Sequence, residues 1–244
     1  MSGSIGTSLL ETSYYLASEA LRIGAIRLNA QQPFVWASGY QMPIYNDNRM
    51  LVSDPRNRGK IGLAFAHIIE LEEIPVDVIA GTSTAGISPA TTLADLLEKR
   101  FIYVRDKPKD HGLRNQIEGI AADKNLEGRR VIVVEDLIST GASSAATVQA
   151  VRDANGIVDY CFSIFNYDFD EAKNMFAGTT PFKEDKRLAT PCKVRSLLTY
   201  QTLLLVAEDE GYLKANDADL LREWRQDPFG WGEKRGFSKV EKER

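Results

Sequence analysis

The run Val131-Ile132-Val133-Val134-Glu135-Asp136-Leu137-Ile138-Ser139-Thr140-Gly141-Ala142-Ser143-Ser144 limits what this chain can fold into more than any other stretch. Four β-branched residues bounded by polar ones predict a strand over 131–134 that is buried on both faces, as in a parallel sheet. Ligands of such sheets bind beyond the carboxyl ends of the strands, where Glu135 and Asp136 fall. The small residues that follow open an Ala-rich helix and can offer backbone N–H groups to an anion. Two carboxylates beside a phosphate cradle suit a ligand carrying both hydroxyls and phosphate, such as a phosphorylated sugar. An ordinary strand–helix junction needs one acidic or hydroxyl cap; this one has more than a cap requires.

The rest of the chain supplies partners for that strand. Apolar residues at helical spacing over 9–30 predict a helix. Residues 34–45 then read as two extended pieces around a Gly turn. Ser53-Asp54-Pro55 is a helix start, with proline at the first helical position, and the helix runs to about Leu71. Strands are expected over 76–80, 101–104 and 158–165, helices over 88–99 and 145–153, and a polar loop over 106–116. Alternating strands and helices argue an α/β fold, an open parallel sheet flanked by helices with right-handed crossovers. Beyond Asp168 the pattern is a helix, a long surface excursion over 178–195, two helices near 199–208 and 216–224, and a tail after Asp227 that frays. The expected organisation is an N-terminal helix and hood (1–50), a core domain (51–177), and an excursion with C-terminal helices (178–244).

A net charge of −4 gives no global drive toward nucleic acid or membrane, so anion binding must come from local groups. No apolar stretch reaches transmembrane length, and the start Met1-Ser2-Gly3-Ser4-Ile5-Gly6 lacks the features of a secretory leader. Cys161 and Cys192 are the two cysteines, without CxxC spacing, and Cys161 reads as a buried core thiol. A reduced, cytoplasmic protein is expected. His67 falls among apolar residues of a helix and receives no role.

Three further segments carry chemistry. Arg105, Lys107, Lys109, His111 and Arg114 crowd a loop after a strand, a local positive patch fit for a polyphosphate in a mildly acidic chain. Phe34, Ser38-Gly39, Pro43, Tyr45, Asp47 and Arg49 form a compact aromatic and polar pattern. Gly81-Thr82-Ser83-Thr84-Ala85-Gly86 places small residues at a strand end, where backbone amides can approach an anion closely.

In this order along the chain, the segments resemble the type I phosphoribosyltransferases, and within them the orotate phosphoribosyltransferases. The acidic pair and loop resemble the ribose-5-phosphate motif, Arg-x-x-x-Lys-x-His-Gly from Arg105 the mobile catalytic loop, and Leu221 to Pro228 a C-terminal Trp-Arg-x-Asp-Pro element. The resemblance spans about 34–228. It implies transfer of the phosphoribosyl group from phosphoribosyl pyrophosphate to orotate, giving orotidine 5′-monophosphate and pyrophosphate.

By that resemblance Lys109, His111 and Asp136 are the catalytic candidates. Glu135 and Asp136 would hold the ribose hydroxyls, and Leu137, Ile138, Ser139, Thr140, Gly141, Ala142 and Ser143 would carry the 5-phosphate side. Thr84 and Ala85 belong to the pyrophosphate loop, Ser38 and Gly39 to the hood over the base, and Arg105 and Lys107 to the mobile loop. The resemblance also implies Mg²⁺ held mainly by substrate and water, with no direct protein ligand, and a homodimer whose 105–114 loop acts in the neighbour's site.

Three positions where many relatives carry lysine hold Ala37, Ala85 and Asp106 here, and Lys107 is the nearby replacement. No arginine follows the 158–165 strand, which leaves base recognition to the hood backbone, Ser139 or Arg49. The rival readings are a phosphoribosyltransferase for another base, a non-catalytic sensor of phosphoribosyl pyrophosphate, and an inactive subunit of a larger assembly. The Arg105–His111 loop and the Ser38-Gly39 hood argue against the first. The short region before Phe34 has no room for a separate DNA-binding domain, which argues against the second.

Overall fold

A computed structural model describes residues 8–106, 116–120, 125–178 and 188–241. The chain opens with α1 (Leu9–Arg22), β1 (Ile26–Leu28), β2 (Phe34–Val35), β3 (Gln41–Met42), β4 (Ile44–Asn46), α2 (Arg49–Ser53) and α3 (Pro55–Leu71). The alternating part follows as β5 (Val78–Thr82), α4 (Ile87–Leu97), β6 (Arg100–Val104), β7 (Ile117–Glu118), β8 (Arg130–Ile138), α5 (Ala142–Asp153) and β9 (Ile157–Asn166). It closes with α6 (Asp170–Phe176), β10 (Lys193–Thr199), α7 (Tyr200–Asp209), α8 (Ala215–Gln226) and α9 (Trp231–Lys234).

Local chemistry sets the helix starts. Ser8 and Glu11 form a reciprocal capping box at α1. Asp54 caps α3 with Pro55 in its first turn, and Thr199 caps α7 through the Thr202 amide. The main sheet runs β10-β9-β8-β5-β6-β7, parallel except for the antiparallel β7. Its strands alternate apolar side chains between two cores. One face packs on α1, α3, α4, α7 and α8 through residues such as Leu16, Phe65, Ile132, Phe162 and Leu203. The other packs on α5 and α6 through Val131, Val133, Val148, Cys161 and Phe176. Burial on both faces explains the uninterrupted apolar strands. Cys161 is fully buried, as expected for a core thiol.

Several expectations are corrected. The N-terminal helix stops at Arg22, not Ala30, because Gly24 adopts a left-handed φ of 72° and the chain turns into β1. Strand β8 does not end at Val134; it runs through both acids to Ile138, because β9 continues alongside it, pairing Glu135 with Ser163 and Leu137 with Phe165. The excursion over 178–195 is cut short by β10, which starts at Lys193 and forms the sheet edge. Residues 107–115 of the polar loop, and 179–187 of the excursion, lie outside the described residues.

The tail is not a frayed end within the described range. Trp231 of α9 is buried, and Val240 N–H donates to the Gly39 carbonyl at 2.9 Å.

Candidate active site

The acidic pair sits on β8, one residue to each side of the sheet as the pleat requires. Glu135 is buried and faces α5: Ser144 Oγ donates to its Oε2 at 3.1 Å, and the Asp136 amide donates to its Oε1 at 3.0 Å. Asp136 faces the hood, where the charge of Arg49 acts on it. Burial, and then the neighbouring Asp136, push the Glu135 carboxyl up to about 8. Burial also raises Asp136, while its hydrogen bond with Glu135 and the Arg49 charge oppose the rise. Two adjacent carboxyls, one buried and one half-buried, resist double ionisation, so the proton stays on the buried Glu135 near neutral pH.

After Ile138 the chain turns at Gly141 into α5. Gly141 has φ 81°, and a Cβ there would stand 3.1 Å from Phe176 and 3.2 Å from Ala172. No other residue type fits that turn without strain. No side chain caps α5, so the first amides of the helix remain available to an anion, favoured by the helix dipole.

The loop after β5 lies beside this junction. Gly86 approaches β8 so closely that a Cβ would stand 2.5 Å from the Val134 carbonyl. Thr84 is exposed and Ala85 half-buried on this loop, and the Ser83–Thr84 peptide is cis.

The hood is the pair of ribbons β1–β4 and β2–β3. Ser38 is exposed at the tip of the second ribbon, and Gly39 lies under the C-terminal tail with φ 85°. Trp36 anchors the ribbon: its Nε1–H donates to the Ile44 carbonyl at 2.8 Å, and its ring lies 5.5 Å from Tyr167 and 6.2 Å from Trp224. Trp224 is fully buried and donates to Met42 Sδ at 3.1 Å. The C-terminal Trp-Arg-x-Asp-Pro element thereby props the hood from below.

The structure brings Glu135, Asp136, Ser139 to Ser143, Thr84 and Ala85 to the carboxyl ends of neighbouring strands. Other candidates are placed less favourably. The side chain of Ile138 is buried against α6 and its carbonyl accepts from Tyr167, while Leu137 packs on the core, so neither side chain faces a ligand. Arg49 forms a two-pronged ion pair with Asp47 at 2.6 and 2.8 Å. Arg105, at the end of β6, meets Glu118 at 3.5 Å. Lys107, Lys109, His111 and Arg114 lie outside the described residues.

A cavity of about 440 Å³ opens on the far side of Ile138, toward α6 and β10, and neither carboxylate lines it. The strand-end geometry, not that cavity, marks the site. Asn48 was missed from the sequence: it is buried, and its Nδ2 donates to the Asp136 carbonyl at 2.7 Å. Its place between Asp47 and Arg49 was the available signal.

Residues 56–165 match the phosphoribosyl transferase domain family model. The chain is 39% identical over 222 residues to an orotate phosphoribosyltransferase of Lactococcus lactis, covering 91% of this chain and 99% of the relative. The chain belongs to the orotate phosphoribosyltransferase family.

A Lactiplantibacillus plantarum member of the family is 40% identical over 91% of this chain and 98% of its own length. A solved member from Aeropyrum pernix superposes with a TM-score of 0.64 at 25% identity, covering 82% of this chain and 99% of that one. The parallel sheet with flanking helices is thus the family's fold. Among the described residues no helix is long and apolar enough to cross a membrane, and no cluster of three or more His, Cys, Asp or Glu stands ready to hold a metal.

Proposed function

We propose that this chain transfers the 5-phosphoribosyl group from phosphoribosyl pyrophosphate to orotate, giving orotidine 5′-monophosphate and pyrophosphate in pyrimidine nucleotide biosynthesis. The observation that carries this reading is the junction of β8 with α5: a buried and a half-buried carboxyl on the strand end, then a glycine turn into uncapped helix amides. Hydroxyls of a ribose suit the first part and its 5-phosphate suits the second.

Departure of pyrophosphate leaves cationic character on the sugar, so rate depends on orienting the orotate nitrogen and on meeting the charge of the leaving group. Asp136, facing the hood, offers its oxygens to the ribose 2- and 3-hydroxyls. Glu135, its oxygens engaged by Ser144 and the Asp136 amide, keeps Asp136 in place. The 5-phosphate rests on the amides of residues 140–143, and the Thr84-Ala85 loop receives the pyrophosphate. Lys109 and His111 meet the pyrophosphate as it leaves, with Arg105 and Lys107 adding charge. The loop they occupy acts across a homodimer in this reading, and the protein works in the cytoplasm.

The donor set fits Mg²⁺ held by substrate oxygens and water. Glu135 is fully engaged, which leaves Asp136 as an outer contact, and Mg²⁺ keeps several waters in sites with few carboxylates. When bound, the ion supplies positive charge beside the pyrophosphate.

The test is the loss of orotate absorbance on mixing the protein with Mg²⁺, orotate and phosphoribosyl pyrophosphate, beside a Lys109→Ala variant. Turnover that collapses in the variant is the expected result. Binding of phosphoribosyl pyrophosphate without consumption of orotate would sink the base assignment.

A further inference from the structure

One corner of the hood is built at a visible cost. Among the described residues, both amide atoms of Asn46 and the Oδ1 of Asn48 are buried and meet no hydrogen-bond partner. A buried polar atom left unpaired is less stable than a satisfied one. Such departures from satisfied burial concentrate where residues serve function.

Among the described residues the Asn48 side chain makes one hydrogen bond. Its Nδ2 donates to the carbonyl of Asp136 at 2.7 Å, and no other side-chain hydrogen bond engages this amide among the described residues. Strand β5 pairs with β8 only as far as Val134, whereas β9 pairs with β8 through Ile138. Beyond Val134, then, one edge of β8 has lost its strand neighbour. Asn48 stands where a longer β5 would have donated to the Asp136 carbonyl. Holding that carbonyl fixes the peptide plane after Asp136, and with it the direction in which the carboxylate leaves the strand.

We propose that Asn48 is a positioning residue for the reaction. It sets the aim of the Asp136 carboxylate through the Asp136 carbonyl it holds. The inference rests on the proposed reading of Asp136 as a ribose-hydroxyl ligand. Asn48 itself touches no reacting atom.

The test compares Asn48→Ala and Asn48→Asp with Asn57→Ala in the full chain. Asn57 is a matched control: it is equally buried and accepts from the Tyr15 hydroxyl at 2.7 Å, on α3. Calorimetric binding of phosphoribosyl pyrophosphate, steady-state KM for each substrate, and Tm are measured on all three.

Both Asn48 variants are expected to weaken phosphoribosyl pyrophosphate binding and lower kcat by about tenfold or more, the scale of a small misplacement at a reacting centre. KM for orotate should stay within about twofold of the parent. Asn57→Ala should lower Tm by a similar amount while leaving that binding unchanged. If Asn48→Ala does not fold, the isosteric Asn48→Asp carries the test alone.

Parent-like binding in the folded Asn48 variants, or equal weakening in Asn57→Ala, would overturn the proposal and leave the proposed function standing. A parent protein that neither binds phosphoribosyl pyrophosphate nor consumes orotate would overturn both.

Discussion

The β8–α5 junction and the hood flank one candidate site, and they are held in place by opposite means. The junction is local. Glu135 to Ser144 is a single stretch of chain whose geometry comes from strand pairing, one left-handed glycine and the start of a helix. The hood is assembled from distance. Trp36 rests on Tyr167 and Trp224, Met42 accepts from Trp224, Asn48 reaches Asp136, and Gly39 is covered by Val240. A junction of the first kind is preorganised wherever the sheet forms. A hood of the second kind is only as well placed as the C-terminal packing beneath it, so the two should fail separately.

The strongest way to break that comparison is Trp224→Ala. Removing a fully buried indole costs about 3–5 kcal/mol, seen as a fall in Tm. At a temperature where the variant is still folded, KM for orotate should rise while binding of phosphoribosyl pyrophosphate holds. Equal loss of both would mean that hood and junction are one unit.

The junction is attacked by Gly141→Val and by Asp136→Asn. Valine meets Phe176 in a backbone region closed to β-branched side chains, and asparagine removes the charge offered to the ribose. Each should cut kcat/KM by about a hundredfold. They separate on stability: Tm should fall for Gly141→Val and hold or rise for Asp136→Asn, because the second relieves a buried charge beside Glu135.

A gentler probe is pH. The folded protein keeps the Glu135 proton to about pH 8, whereas the unfolded chain releases it near 4.5. Between those values the folded state binds more protons, so this group's contribution to stability falls as pH rises through that window, by up to about 1.4 kcal/mol per unit. Denaturant unfolding of ligand-free protein from pH 5 to 8 should show the decline, and Glu135→Gln should flatten it. A parent profile that matches the variant would remove the shared-proton description of the pair.

The smallest effect is expected from the tail. Val240→Pro removes the N–H that meets the Gly39 carbonyl, a loss of about 0.5–1.5 kcal/mol. Hydrogen exchange at residues near Gly39 should rise while that of the β8–α5 junction stays unchanged.

Much of this molecule is legible without coordinates, for reasons that differ by region. The alternation of apolar strands and amphipathic helices from Pro55 to Asn166 follows from burial of a sheet on both faces, which leaves a periodic trace in the chain. The acidic pair and glycine turn are equally readable, because a strand end, a φ of 81° and a helix start each demand particular residue types at adjacent positions. Strand β10 escaped because its edge position imposes no continuous apolar run: Lys193, Arg195 and Ser196 sit beside Leu197 and Leu198. The extension of β8 through two carboxylates escaped because charges read as the end of a buried strand unless its neighbour is known to continue.

The sequence by itself determined the parallel sheet, the order of its strand–helix units and the chemistry of the β8–α5 junction, since each depends on residues within a few positions of one another. Only the tertiary structure decided which residues support that chemistry. Asn48 meets the Asp136 carbonyl, Trp224 lies beneath Trp36, and Val240 covers Gly39. Those contacts join residues far apart in the chain, where local propensity carries no information and the packing of distant elements sets who meets whom.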